Sequence, residues 1–548
     1  MSLKRILTHI CLILFVLALP AISFAEQDSI ETPTFSEALT TLKDSSLSKR
    51  GKAITHLATF QHPQTIAIFQ ALLKGKLLEI RNDGQVVIAE KHDGQYNIVA
   101  AVDGESLGSI ERSAAKKITV TNRLRSQLKV LIAKLQINSE DPDIRLQAVK
   151  AMAKNPNQQT IQLLTKLAEI ETNQSVKQAL ALVFALQQLD SPDQTLRLSA
   201  IETLKDQNSL KALHRLKTFS GKDLQGEYRE PVSEVRKQAK SAVIKIEARQ
   251  QVYKVAETVF FGLSLGAVLV LAAIGLAITF GVMGVINMAH GELMMIGAYT
   301  TYVMQQLMPN QIGWSLILSI PAAFLVSALV GVVIERGIIR FLYGRPLETL
   351  LATFGVSLFL QQTVRSIFSP LNRSVSTPDW MSGSLQINDF LSFTLNRFYI
   401  LGFCLLVFAV LLLILKRTRL GLEVRAVTQN RNMAKAMGIP TGRVDAMTFG
   451  LGSGIAGVAG VALSQITNVG PNLGQSYIVD CFMVVVFGGV GNLWGTLVGG
   501  FSLGIANKVL EPFTGAVLAK ILMLVFIILF IQKRPRGLFP QKGRAAEL

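Results

Sequence analysis

Nine apolar runs crowd the second half of this 548-residue chain, at about 258–282, 286–307, 312–335, 347–369, 397–415, 444–466, 477–490, 494–510 and 516–532. A water-soluble core cannot hide so much contiguous apolar sequence, so residues 251–548 read as a polytopic α-helical membrane domain. Several runs fall short of the roughly 20 residues that a perpendicular span needs. That predicts broken or tilted helices and about eight or nine crossings.

Charge assigns sides to these runs. Residues 251–548 carry 21 Lys+Arg against 11 Asp+Glu, and 15 of the 21 fall in three places. Arg336, Arg340 and Arg345 follow the third run, seven basic residues lie between Lys416 and Arg443, and five follow the last run. Loops 308–313 and 469–475 have no Lys or Arg. The positive-inside bias therefore makes the basic loops and the C-terminus cytoplasmic. The net charge of +18 reflects topology, and no nucleic acid partner is expected.

The N-terminus agrees. Met1–Ala25 places Lys4 and Arg5 before the apolar run Ile10–Leu19 and ends in Ser23-Phe24-Ala25, the order of a signal peptide. An uncleaved anchor is the competing reading. Cleavage would leave residues 26–250 outside the cytoplasm, ahead of a multi-pass membrane domain.

Residues 26–250 read as amphipathic helix with one interruption. The pattern apolar-basic-x-x-Ala recurs at Ile144-Arg145, Leu196-Arg197 and Val235-Arg236, with Asp141-Pro142 and Ser191-Pro192 upstream of the first two as helix starts. The stretch resembles HEAT-type repeats, with an ordinary helical bundle as the alternative. At about 77–102, Val86–Ile88 and Ile98–Ala100 lie between the pairs Asp83-Gly84, Asp93-Gly94 and Asp103-Gly104, which predicts a small β-hairpin insert. Lys240–Val255 continues as one helix into the membrane half, and loop 370–396 reads as mobile. The fold class is thus mainly α. Nothing in the N-terminal domain assembles chemistry, and docking surface, lid and spacer stay open as its role.

Thr279–Tyr299 is the chemically informative stretch. Asn287, His290 and Glu292 lie in an otherwise apolar run, where polar groups are costly unless they border protein or a hydrated path. Glycines 281, 284, 291 and 297 permit close helix approach or a break, as at transporter sites. A glycine-rich packing seam with a satisfied Glu is the competing reading. Gln361, Gln362, Gln465, Asn468 and Asn507 add amides to the membrane half, and Asp480 adds a second carboxyl. Gly450–Gly460 reads as helix packing. Cys11, Cys404 and Cys481 have no metal or disulfide spacing, and His290-x-Glu292 lacks the PCxxC partner of a zinc deaminase, so no metal site is expected.

Loop 416–443 is basic, with Arg425, Ala426, Asn430, Ala434 and Gly438 placed for a short surface helix that stops at Gly-Ile-Pro. Segment Gly421–Pro440 resembles the coupling loop of permease subunits in the branched-chain amino acid family of ABC importers. Gly284–Glu292 and Phe487–Gly495 resemble two further signatures of that family. Asn468–Gly474 and Tyr477–Asp480 look closer to its urea permeases. The resemblance implies half of a translocation path for urea, with branched-chain or related amino acids as the alternative. It also implies a second permease subunit, two cytoplasmic ABC ATPases and a periplasmic substrate-binding protein, and places the chain in the bacterial inner (plasma) membrane with its N-terminal domain periplasmic. On this reading the chain is not an enzyme and holds no cofactor, ATP being bound on partner subunits. The absence of GxxxxGK[ST] from the sequence agrees. Asn287, His290, Glu292, Gln465, Asn468 and Asp480 are the candidate path residues, and Arg425, Ala426, Asn430, Ala434 and Gly438 the candidate coupling residues. A membrane-anchored scaffold or sensor with a helical ectodomain is the reading from another class.

Overall fold

A computed structural model describes residues 34–540 except 61, 93–94 and 155, and the signal peptide expected over 1–25 lies outside the described residues. Backbone packing divides the chain into one compact unit ending at Val183 and another beginning at Phe184.

The first unit opens with α1 (Phe35–Thr41), α2 (Leu47–Thr59) and α3 (Thr65–Lys74). Thr34 and Glu37 close a reciprocal capping box at the start of α1. The hairpin expected over 77–102 is larger in the structure. Strands β1 (Leu77–Ile80), β2 (Val86–His92), β3 (Gln95–Ala100), β4 (Ser106–Ile110) and β5 (Ala115–Lys117) form one antiparallel sheet in the order β4-β3-β2-β1-β5. Gly84 and Gly104 sit at φ +69 and +81, as the Asp-Gly turns require. The strands that sequence patterning missed, β4 and β5, are the two edges, and an edge carries too little buried apolar surface to alternate. Helices α4 (Asn122–Gln136), α5 (Pro142–Met152) and α6 (Gln158–Ile170) follow, and α7 (Gln174–Gln188) contains the seam between the units.

The second unit begins with α8 (Gln194–Lys205) and α9 (Leu210–Ser220) packed on α10 (Ser233–Met283), a single 51-residue helix. The domain boundary expected at 250 falls inside α10. Polarity changes there but helix-forming residues continue. The repeated basic position has one geometry three times. Arg145 donates to the carbonyls of Ser139 and Glu140, Arg197 to those of Ser191 and Pro192, and Arg236 to those of Glu230 and Pro231. Each arginine thus ties down the turn ahead of its own helix. Ser191-Pro192 lies one step early as a helix start, because the carboxyl of Asp193, next in sequence, is what caps α8 by accepting from Thr195 N–H at 2.8 Å.

Each of the nine apolar runs falls on its own helix. After α10 come α11 (His290–Leu307), α12 (Ile312–Gly337) and α13 (Pro346–Phe368), then a hairpin of β6 (Ser384–Asn388) and β7 (Leu391–Thr394) in the loop read as mobile. Next are α14 (Leu395–Arg417), α15 (Arg419–Gln429), α16 (Arg431–Ala436), α17 (Thr441–Ser464), α18 (Leu473–Gly488), α19 (Leu493–Thr514) and α20 (Ala516–Lys533). Among the described residues, α10, α12, α14, α17 and α20 are long and apolar enough to cross a membrane individually. The shorter or more polar α11, α13, α18 and α19 pack among them.

Small residues set this packing. Helices α10 and α17 touch backbone to backbone at Gly275 and Gly452, and the first turns of α11 and α18 do so at Gly291 and Gly474. Gly457 of the glycine-rich run abuts Gly297 of α11, so that run is a helix-crossing seam. Helix α17 is buried along most of its length at the centre of this arrangement.

Candidate functional site

Gly284, at φ +65, ends α10, and the backbone stays non-helical until α11 starts at His290. This break is held from two sides. Asn287 Oδ1 accepts from Ala289 N–H at 3.0 Å, while Thr353 of α13 accepts from Met288 N–H at 3.1 Å. His290 is fully buried and places Nε2 2.9 Å from the carbonyl of Ala272, one layer across on α10. A carbonyl only accepts, so the proton sits on Nε2.

Glu292, 1% exposed, reaches α13, where its Oε1 accepts from Gln361 Nε2 at 2.7 Å and from Ser357 Oγ at 3.1 Å. Asn287 Nδ2, His290 Nδ1 and Glu292 Oε2 have no hydrogen-bond partner among the described residues. Three unpaired polar atoms around one helix start are expensive in a sealed apolar core. Helix α13 has an inverted pattern that explains its place. Thr349, Thr353, Ser357 and Gln361 repeat every fourth residue on its buried face, while Leu347, Leu351, Phe354 and Leu358 are exposed. Gln362 points to the exposed face.

The other path candidates lie apart from this cluster. Asp480 of α18 pairs with Lys520 of α20 at 2.9 Å, and no hydrogen bond or ion pair among the described residues joins it to Glu292. Gln465, at the end of α17, lines a separate apolar cavity of about 360 Å³ with Trp380, Met381 and Phe403. Asn468 is exposed in the link between α17 and α18. The six candidates thus separate into a cluster of three, an ion-paired carboxyl, a cavity-lining amide and a loop residue.

The coupling segment holds two helices where one was expected. Asn430 interrupts it and caps α16, its Oδ1 accepting from Met433 N–H at 2.9 Å. Gly438, at φ +88, ends α16, and Ile439 N–H bonds back to Ala434 O at 3.0 Å. Ala434 is buried with Val424, Val427 and Val444, and Ala426 packs against that group. Arg425 donates to Leu415 O at the end of α14, at 2.7 Å. It also lines a cavity of about 720 Å³ bounded by α10, α14, α15 and the start of α19. Leu422, Met433 and Met437 are exposed. Sequence reasoning missed Thr353 and Ser357, for which the fourfold spacing on α13 was the findable signal.

Residues 258–531 match the family described as "Branched-chain amino acid transport system / permease component". The chain belongs to this permease family. It is 30% identical over 292 residues to the high-affinity branched-chain amino acid transport system permease protein LivH of Escherichia coli K12, covering 52% of this chain and 94% of that one. The corresponding protein BraD of Pseudomonas aeruginosa is 29% identical over 301 residues, 53% of this chain and 96% of its own. A shorter likeness, 32% over 110 residues, reaches the ribose import permease protein RbsC of Bacillus subtilis, covering 19% of this chain and 34% of that one. No solved structure gives a significant match. Family members are transport permease subunits, so with its span-length helices this chain is a transport subunit of the inner membrane.

Proposed function

We propose that the chain forms half of the translocation path of a binding-protein-dependent ABC importer for branched-chain amino acids. The observation that carries the path assignment is Glu292, buried, with one carboxyl oxygen held by Ser357 and Gln361 and the other unpaired. The substrate class rests on the relatives, whose names specify branched-chain amino acids. Asn287, His290 and Glu292 line or gate the route. The segment from Arg425 to Gly438 receives the ATPase stroke, and its exposed Met433 and Met437, with Leu422 just ahead of it, suit an apolar docking face; two ATPases serve the importer. A second permease completes the path, a binding protein delivers substrate, and ATP is bound on the ATPases. The residues ahead of the membrane helices are exported, and their helices are HEAT-like.

Urea is the second reading, and one feature favours it. Glu292 is held by uncharged donors alone, and no Lys or Arg side chain bonds to it among the described residues. A neutral amide needs no counter-charge, whereas the carboxylate end of a desolvated zwitterion needs a cation, even where Glu292 serves its ammonium. Reconstituting the complete importer and measuring ATP-driven uptake of labelled leucine and labelled urea decides between the two. Leucine uptake is the expected result. Uptake of urea alone replaces the substrate, and uptake of neither, with ATP hydrolysis intact, removes the substrate assignment altogether.

A further inference from the structure

The coupling segment is pinned to the membrane helices by one side chain. Arg431, the first residue of α16, donates from Nη1 to Tyr343 Oη at 2.7 Å and to Asp445 Oδ1 at 3.2 Å, while Nη2 engages Asp445 Oδ2. Tyr343 Oη in turn donates to Asp445 Oδ1 at 3.3 Å. The guanidinium lies over the Tyr343 ring, 3.9 Å from its centre. Three stretches meet here: α16, the start of α17, and the link between α12 and α13. Among the described residues, Arg431 is the one basic side chain of 416–443 that forms an ion pair.

Apolar contact alone would hold α16 loosely. Its buried neighbours are Val424, Val427 and Val444, a small patch whose attraction has no preferred direction. A two-pronged guanidinium on a carboxylate fixes direction as well as distance. Asp445 is 2% exposed, so a helix that pulled Arg431 away would strand a desolvated charge. Displacement of α16 therefore carries α17 with it, and through Tyr343 the start of α13. Helix α17 crosses the centre of the membrane bundle, and α13 presents Thr353, Ser357 and Gln361 to the break before α11 and to Glu292.

We propose that Arg431 is the positioning residue that makes α16 move as one body with α17 and the start of α13, so that force applied to the coupling segment reaches the Glu292 site. This rests on the permease reading above. The test is the full importer in proteoliposomes, with ATP hydrolysis and substrate uptake measured in the same vesicles. Wild-type vesicles that hydrolyse ATP without uptake sink the permease reading, and this inference with it. With a working wild type, Arg431→Gln should hydrolyse ATP within about twofold of normal but import roughly fivefold less substrate per ATP, the scale of a modest coupling energy. Asp445→Asn should do the same, and the double variant should be no worse than either. Arg431→Lys, a point charge without the fork, should recover only part. Tyr343→Phe keeps the ring and serves if the charge variants fail to assemble. It too should lower uptake per ATP. Unchanged uptake per ATP in the assembled variants overturns the proposal. So does loss of hydrolysis and of ATPase association in step with uptake, which would make Arg431 a docking residue.

Discussion

Glu292 divides its work between two oxygens, and variants can separate them. Glu292→Gln keeps the size and an oxygen for Ser357 and Gln361 but removes the charge and turns the unpaired oxygen into an N–H donor, so uptake should fall at least about tenfold, the scale of one lost charge-assisted hydrogen bond. Glu292→Ala should abolish uptake while leaving membrane insertion and ATPase association intact, measured by proteoliposome transport and co-purification. A second residue-scale prediction lies in the N-terminal unit. Arg145 hydrogen-bonds Glu171, aided by the N–H groups of Asn173 and Thr172, and holds its carboxyl at about 2 against an ordinary 4.5. The folded state therefore gives up this proton more readily than the unfolded chain. Its stabilisation is complete above about 4.5 and disappears as pH falls towards about 2. Helix content followed by circular dichroism over that window should fall less steeply with acid in Glu171→Gln, which starts from lower stability. Asn287, His290 and Glu292 were legible in sequence because a polar side chain inside an apolar run is conspicuous. Arg431 was not, since seven basic residues share its loop, and its partners lie 14 and 88 residues away.

At the scale of elements, an averaged hydropathy pattern hides what α13 does. Its exposed leucines make it one more apolar run in the sequence, though it is too polar on average to rank with the span-length helices, and only the fourfold spacing of Thr349, Thr353, Ser357 and Gln361 shows that the polar groups share one face. The break between α10 and α11 was readable from its glycines, and so was the role of Gly450–Gly460. Which helices those glycines join was not readable, because each contact is between residues far apart in the chain. These contacts give a prediction with an internal control. A Cβ at Gly297 would collide with the backbone of Gly457, whereas one at Gly355 meets nothing within 4 Å. Gly297→Val should destabilise the detergent-purified protein by about 1–3 kcal/mol or prevent its accumulation. Gly355→Ala should melt within experimental scatter of wild type.

For the whole molecule, the long helix α10 matters more than the change of polarity at 250. Helices α8 and α9 pack on its early turns, and α17 and α19 pack on its later ones. At 1.5 Å per residue its 51 residues span about 75 Å without a proline or a helical break. A shaft of this kind fixes azimuth as well as distance. Inserting a single alanine among the exposed positions near Val252 would turn the upstream helices by about 100° about the shaft axis, with neither end having to unfold. Inserting seven would bring them back close to their starting bearing, about 10 Å further out. If whatever docks on the upstream helices must face one particular way, import should fail in the first variant and return in the second, and so report phase along a screw thread.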